Sequence, residues 1–266
     1  MVVSTVLFVD LDGTICVNPF RTVVFPHINS LLSPRTGLSG DQLITIFVQE
    51  FQTRLAKSDG HTPSAADWDE IVITVGRRLG VELDVVVHEM VADAAKVPHI
   101  RILDDSDVYL RQLREEGHRQ LVVSSMGLAK FQMPVLRGLE LAPLFDEFLM
   151  PDLTGHLKTA PEFYASVTDK HANAVFISVG DTYKDDVLIP KQLGFFSVMK
   201  VPLAELKAYD PLERPQILLD YRSQIPSLPE KPPFLPDAVI THISELPGVV
   251  AALEKKEMEG RLIRTA

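Results

Sequence analysis

Short, largely apolar runs alternate along most of this chain with stretches whose apolar residues recur every three or four positions. Val6 to Val9 is the first run. A strand buried on both faces of a parallel sheet reads this way. Gln120 to Val123, Phe148 to Met150, Ala174 to Val179, Phe195 to Val198 and Val239-Ile240 repeat the pattern. Helical spacing lies between them. Ser106 can cap a helix that buries Val108, Tyr109, Leu110 and Leu113, and a second runs through Leu136 and Leu139. Pro161 suits a first helical turn, Ile189 to Leu193 closes another helix, and Glu245 to Lys256 predicts a terminal one. This alternation predicts an α/β fold: a parallel, Rossmann-like core sheet flanked by helices.

Residues 18–100 break the alternation. Pro19, Pro26 and Pro34 predict a loop from Asn18 to Ser39. Leu43, Phe47, Phe51 and Leu55 then recur every four residues, with Ser39 or Asp41 as cap. Ser64 can cap a second helix that buries Trp68, Ile71, Val72, Val75 and Leu79, and Asp84 to Ala95 suits a third. The expected division is a core at 1–17 and 101–266 and an inserted helical cap at 18–100 with its own small core. Within the core, eight prolines fall between 202 and 236. That density predicts an extended surface excursion with one short helix at Gln216 to Tyr221.

Composition narrows the function. The chain has 266 residues, 46% of them apolar, and a formal net charge of −10. Such a chain has enough apolar material for a substantial core and is a poor general binder of nucleic acid or anionic membrane. Its single cysteine, Cys16, excludes an intrachain disulfide and a cysteine-based zinc cluster; a buried thiol is expected. No apolar run reaches the roughly 18 residues of a membrane span, and the N-terminus lacks the basic region of a signal peptide. A cytoplasmic protein acting on a small molecule is expected.

The candidate chemistry lies at strand ends, where ligands bind in open α/β sheets. Asp10-Leu11-Asp12-Gly13-Thr14 follows the first strand, and Gly13 tolerates a backbone break that turns both carboxylates toward one cavity. One aspartate could attack phosphorus and the other could move protons. Gly180-Asp181, with Asp185 and Asp186, follows the strand at 174–179. Carboxylates converging from both places would make a hard oxygen site suited to Mg²⁺. Ser124 ends another strand, and Lys158 can neutralise phosphate and aspartates alike.

These four features together resemble the haloacid dehalogenase-like hydrolases. Asp10 to Thr14 is similar to the family's DxDGT motif, and Leu121-Val122-Val123-Ser124 to its second motif. Lys158 followed by Pro161 is similar to the third, and Gly180-Asp181 with Asp186 to the fourth, GDxxxxD. The resemblance covers residues 5 to 200, and the insertion resembles a C1-type helical cap. It implies Mg²⁺-dependent hydrolysis of a small phosphorylated metabolite through an aspartyl-phosphate at Asp10. Asp12 would protonate the leaving oxygen and then activate water, while its backbone carbonyl binds Mg²⁺. Asp10 and Asp181 would be metal ligands, and Asp186 would orient metal waters or Lys158. Ser124 and the Ser125 amide would hold phosphate oxygens, with Lys158 neutralising charge. The dehalogenases of the family lack an aspartate two residues after the nucleophile, so Asp12 points away from halide displacement. Ser125 stands where the family often has Asn, Thr159 where many capped members have Pro, and Asp185 where Asn is common. Phe20, Arg21, His27 and Arg35, early in the insertion, are candidates for leaving-group recognition. A sugar-phosphate phosphomutase would share this core, and a non-catalytic scaffold is the reading of another class. Phosphonate hydrolysis would need a cap lysine in a supporting context, which Lys57 and Lys96 lack.

Overall fold

The computed structural model describes residues 4–58 and 60–265, with side chains through 260. Its centre is a six-stranded sheet built of β1 (Thr5–Val9), β4 (Arg119–Ser124), β5 (Glu147–Leu149), β6 (Val175–Gly180), β7 (Phe196–Lys200) and β8 (Ala238–Ile240), in the order β5-β4-β1-β6-β7-β8. Every pairing is parallel. β1 lies between β4 and β6, with Val9 level with Val123 on one side and Val179 on the other. The chain builds outward from β1 in both directions, so a crevice opens where these three strands end.

The all-apolar strands are buried on both faces. Leu7 and Val9 pack on one side with Leu110, Leu113, Leu246 and Val250. Those last four belong to α5 (Ser106–Glu115) and α11 (Leu246–Thr265). Val6 and Phe8 pack on the other side with Phe163, Tyr164, Val167 and Phe195. Phe8 meets Tyr164 edge-on at 5.2 Å between centroids and stacks on Phe195 at 5.4 Å. Such pairs add about 0.5–1.5 kcal/mol beyond the area they bury. Short helices complete the crossovers: α6 (Ala129–Gly138), α7 (Pro151–Thr154), α8 (Ala165–Thr168), α9 (Ile189–Gln192) and α10 (Arg214–Ile217).

The insertion is helical: α1 (Phe25–Thr36), α2 (Gly40–Lys57), α3 (Trp68–Arg78) and α4 (Val87–Asp93). Ser39 caps α2 through a reciprocal capping box with Gln42. Asp67, not Ser64, caps α3, because its carboxylate accepts from the Asp69 amide while Ser64 sits in a preceding 3₁₀ turn. The loop expected at 18–39 is instead a π-helical turn (Phe20–Val24) leading into α1. Pro26 falls in the first turn of that helix, where a missing amide costs nothing, and Pro34 falls in its last turn. Among the described residues, the insertion shares its core with the sheet domain rather than keeping one of its own. Ile28, Leu43, Phe47 and Val75 belong to one apolar cluster with Leu11, Leu128, Phe131 and the sheet face.

Two short strands that periodicity does not reveal mark the passage between insertion and core. β2 (Cys16–Val17) pairs antiparallel with β3 (Arg101–Ile102), Cys16 opposite Ile102 and Val17 opposite Arg101. The segment at 202–236 also differs from the expected excursion. It holds α10 between two 3₁₀ stretches, and Leu206, Leu218, Ile225 and Leu228 are buried against Tyr183, Val187, Met199 and Val239. Each such side chain contributes about 1.5–3 kcal/mol, enough to hold a proline-rich segment down. Buried Arg214 joins in, donating to the Val239 carbonyl at 3.0 Å and to both Glu245 oxygens at 2.8 Å. Among the described residues, no helix is long and apolar enough to cross a membrane.

Candidate active site

β1, β4 and β6 deliver Asp10, Ser124 and Asp181 to the same crevice. Gly13 makes the turn after β1 possible. Its φ is +81°, and a Cβ there would lie 2.3 Å from Asp181 Oδ2. A Cβ on Gly180 would stand 2.0 Å from the Asp186 carboxyl carbon. Both glycines therefore clear space for carboxylates.

Lys158 is the electrostatic centre. Its Nζ lies 2.9 Å from Asp10 Oδ1 and 2.6 Å from Asp186 Oδ1, and it is almost fully buried. Burial works against its charge, but Asp10 and Asp186 outweigh burial and hold it protonated. The other Asp10 oxygen accepts from Thr14 Oγ1 at 3.1 Å. Asp186 Oδ2 accepts from the Thr182 amide at 2.9 Å, which fixes the carboxylate beneath Lys158.

Asp10, Asp181 and Asp186 bring one carboxylate oxygen each within 4.8 Å of the others, a group able to hold a metal ion. All three offer hard oxygen donors, which suit Mg²⁺. Burial and the charge of Asp10 push Asp181 up to about 6, so a cation here relieves crowded negative charge. The Asp12 carboxylate stands outside that group. Its Oδ2 accepts from Gln132 Nε2 at 2.7 Å, and burial together with Asp10 pushes its pKa up to about 6.

The remaining expectations divide. Ser124 is buried at the end of β4 beside the Tyr164 hydroxyl. The Ser125 amide, expected to face phosphate, instead donates to the Leu149 carbonyl at 3.1 Å and extends the β4–β5 ladder. A cavity of about 500 Å³ adjoins Asp12, Gly13 and Asp181 and is lined by Asn18, Arg21 and Arg101. Of the four candidates early in the insertion, Arg21 is the one on this cavity's wall. Phe20 packs among Phe25, Trp68 and Phe131, while His27 and Arg35 are exposed on α1 and do not line the cavity. Cys16 is buried, its Sγ 3.6 Å from the Leu11 carbonyl, and burial pushes its thiol up. Gln132, Arg101 and Lys200 escape the sequence reading. Lys200 donates to the Thr14 carbonyl at 2.7 Å and pairs with Asp104 at 2.8 Å, bracing the turn that carries Asp10 and Asp12.

A model of the haloacid dehalogenase-like hydrolases matches residues 5–194. The chain belongs to that family. Three solved structures illustrate its fold. A HAD phosphatase from Thermococcus onnurineus is 19% identical, with a TM-score of 0.64 over 93% of this chain and 97% of that one. The HAD-hydrolase YfnB from Bacillus subtilis, bound to magnesium, is 16% identical at 0.59, over 92% and 98%. The L-2-haloacid dehalogenase from Xanthobacter autotrophicus, with chloropropionic acid covalently bound, is 17% identical at 0.61, over 93% and 98%. At these identities the likeness is one of fold, and it spans two different reactions. No curated protein matches this chain in sequence.

Proposed function

We propose that this family member is a Mg²⁺-dependent phosphatase of small phosphomonoesters in which Asp10 is the nucleophile. The observation that carries the reading is Asp12, half-buried close to Asp10 and held by Gln132. A departing halide needs no proton, whereas a departing alkoxide does, and a carboxyl group with a raised pKa is suited to give one. Asp10 and Asp181, with the Asp12 backbone carbonyl, would hold Mg²⁺, which would neutralise charge on the phosphoryl oxygens.

Asp10 attacks phosphorus, forming a bond from its carboxylate oxygen as the ester P–O bond breaks. Asp12 passes its proton to the departing oxygen. The ionised Asp12 then takes a proton from water as that water attacks the aspartyl-phosphate, releasing phosphate and restoring Asp10. Lys158 neutralises the Asp10 carboxylate and the incoming phosphoryl group, and Ser124 donates its hydroxyl to a phosphoryl oxygen. Asp186 acts through Lys158. In this reading residues 18–100 form a cap, residues 1–17 and 101–266 form the core, and β2 and β3 join them.

The cavity favours a substrate class. Arg21 from the cap and Arg101 from β3 line the same cavity as Asp12 and Asp181. A leaving group bearing a carboxylate or a second phosphate matches them, because guanidinium binds both in two-pronged fashion. A phosphate-release assay with Mg²⁺ over anionic and neutral small phosphomonoesters tests both claims. Turnover that vanishes in Asp10→Asn supports the phosphatase, and preference for the anionic esters supports the two arginines. Release that persists in Asp10→Asn refutes the mechanism.

A further inference from the structure

A second group of metal-competent side chains lies away from the aspartate cluster. His61 sits in the turn after α2, and His156 and Glu162 stand on either side of Lys158 in the segment after α7. One nitrogen or oxygen from each lies within 4.8 Å of the other two. His61 Nδ1 and His156 Nδ1 face each other at 3.2 Å, with ring planes 80° apart. Ligand nitrogens about 2.0–2.1 Å from a tetrahedral ion stand about 3.3 Å from one another. The imidazoles are therefore already spaced as neighbouring ligands of one ion.

The backbone fixes that spacing across 95 residues of sequence. The Leu157 amide donates to the Gly60 carbonyl at 2.7 Å. Gly60 has φ +81°, and a Cβ there would sit 2.8 Å from that of Ala160, so the two segments meet at a point where no side chain fits. The His156 amide donates to Thr154 Oγ1 at 3.2 Å, and that hydroxyl donates back to the His156 carbonyl at 2.9 Å. His61 and Glu162 are exposed and His156 is half-buried, so an ion and a completing water can enter.

We propose that His61, His156 and Glu162 bind one divalent transition ion of the Zn²⁺ type, at a site separate from the aspartate cluster. Donor chemistry separates the two: imidazole suits Zn²⁺, whereas an all-carboxylate set suits Mg²⁺. The ion ties the turn after α2 to the segment that carries Lys158.

The test is Zn²⁺ calorimetry on metal-stripped protein without a polyhistidine tag, in millimolar Mg²⁺ to fill the aspartate cluster. Co²⁺ as a visible-absorption probe adds a readout of geometry. Wild type should bind one Zn²⁺ per chain and give the intense bands of tetrahedral Co²⁺. Zn²⁺ should also raise its Tm. His61→Ala and His156→Ala should each weaken Zn²⁺ binding by more than the roughly 10–100-fold that losing an outer partner costs. Both should fold with wild-type circular dichroism, because neither side chain is in the core. Asp181→Asn and the exposed-residue control His27→Ala should keep the site. Absence of Zn²⁺ binding in wild type would overturn the proposal. So would unchanged affinity in either of His61→Ala and His156→Ala, or loss of the site in Asp181→Asn.

Discussion

Gln132 Nε2 donates to Asp12 Oδ2 at 2.7 Å, joining α6 to the turn after β1 across 120 residues of sequence. The same amide explains why Gly127 carries no side chain: a Cβ there would lie 2.2 Å from Gln132 Nε2. Gln132→Met keeps the volume and removes the donor. In the proposed reaction kcat should fall roughly 10-fold, a fraction of the roughly 10²–10⁴-fold that proton transfer supplies, with KM little changed. Steady-state phosphate release checks this, and an unchanged kcat would detach Gln132 from the chemistry.

Asp10 and Asp12 should fail in different ways. Asp10→Asn should never carry phosphate, because an amide is a far poorer nucleophile. Asp12→Asn with an activated aryl phosphate should load Asp10 and then stall, slowing turnover by roughly 10²–10⁴-fold. Rapid quenching and mass analysis of the Asp10 peptide reads both outcomes. Phosphate on Ser124 instead would replace the mechanism.

Metal dependence should run through Gly13. Chelation should abolish phosphate release, and added Mg²⁺ should restore it. Gly13→Ala forces a Cβ toward Asp181 Oδ2 in a backbone conformation that disfavours side chains. Its half-saturating Mg²⁺ concentration should rise at least tenfold, by roughly the effect of a disturbed ligand shell. A Mg²⁺ titration of activity decides it, and a wild-type curve would remove Asp181 from the metal site.

Acid stability should depend on Glu254. Burial opposes its charge, but the Arg119 guanidinium at 2.8 Å outweighs burial, with help from Thr5 and His118, and holds it below its ordinary 4.5. A carboxylate lowered on folding stabilises the fold above its unfolded pKa, and that contribution fades as pH falls through the folded value. Glu254→Gln should cost about 2 kcal/mol at pH 7, since it removes a charge-assisted pair while Glu116 at 2.9 Å still partners the Arg119 guanidinium, and the gap should narrow steadily below pH 4.5. Denaturant melts of both proteins across pH measure it, and a constant gap would refute the linkage.

The strands and the polar residues at their ends are legible because burial on both faces leaves a largely apolar run, and Asp10, Ser124 and Asp181 follow or end three such runs. Proline misled in two places. Pro26 and Pro34 read as breakers, although the apolar positions of Val24, Ile28 and Leu32 keep a four-residue spacing through them. The prolines at 202–236 hid the spaced leucines Leu206, Leu218 and Leu228 that fasten the segment to the sheet. Gln132 had a signal of its own, as a polar residue among Phe131, Val135 and Leu136 on a buried helical face. β2 and β3 had none, because a two-residue strand has no period to read.

Those two strands carry a mechanical consequence. Both covalent passages between the insertion and the core run side by side and are stitched together at Cys16–Ile102 and Val17–Arg101. A paired ribbon bends and twists more readily than its strands slide, because sliding breaks the ladder bonds while bending keeps them. The chain thus enters and leaves residues 18–100 in one fixed register. Arg101 stands on the ribbon itself and Arg21 a few residues beyond Val17, so the register of this seam sets where both cavity-lining arginines stand relative to Asp12 and Asp181.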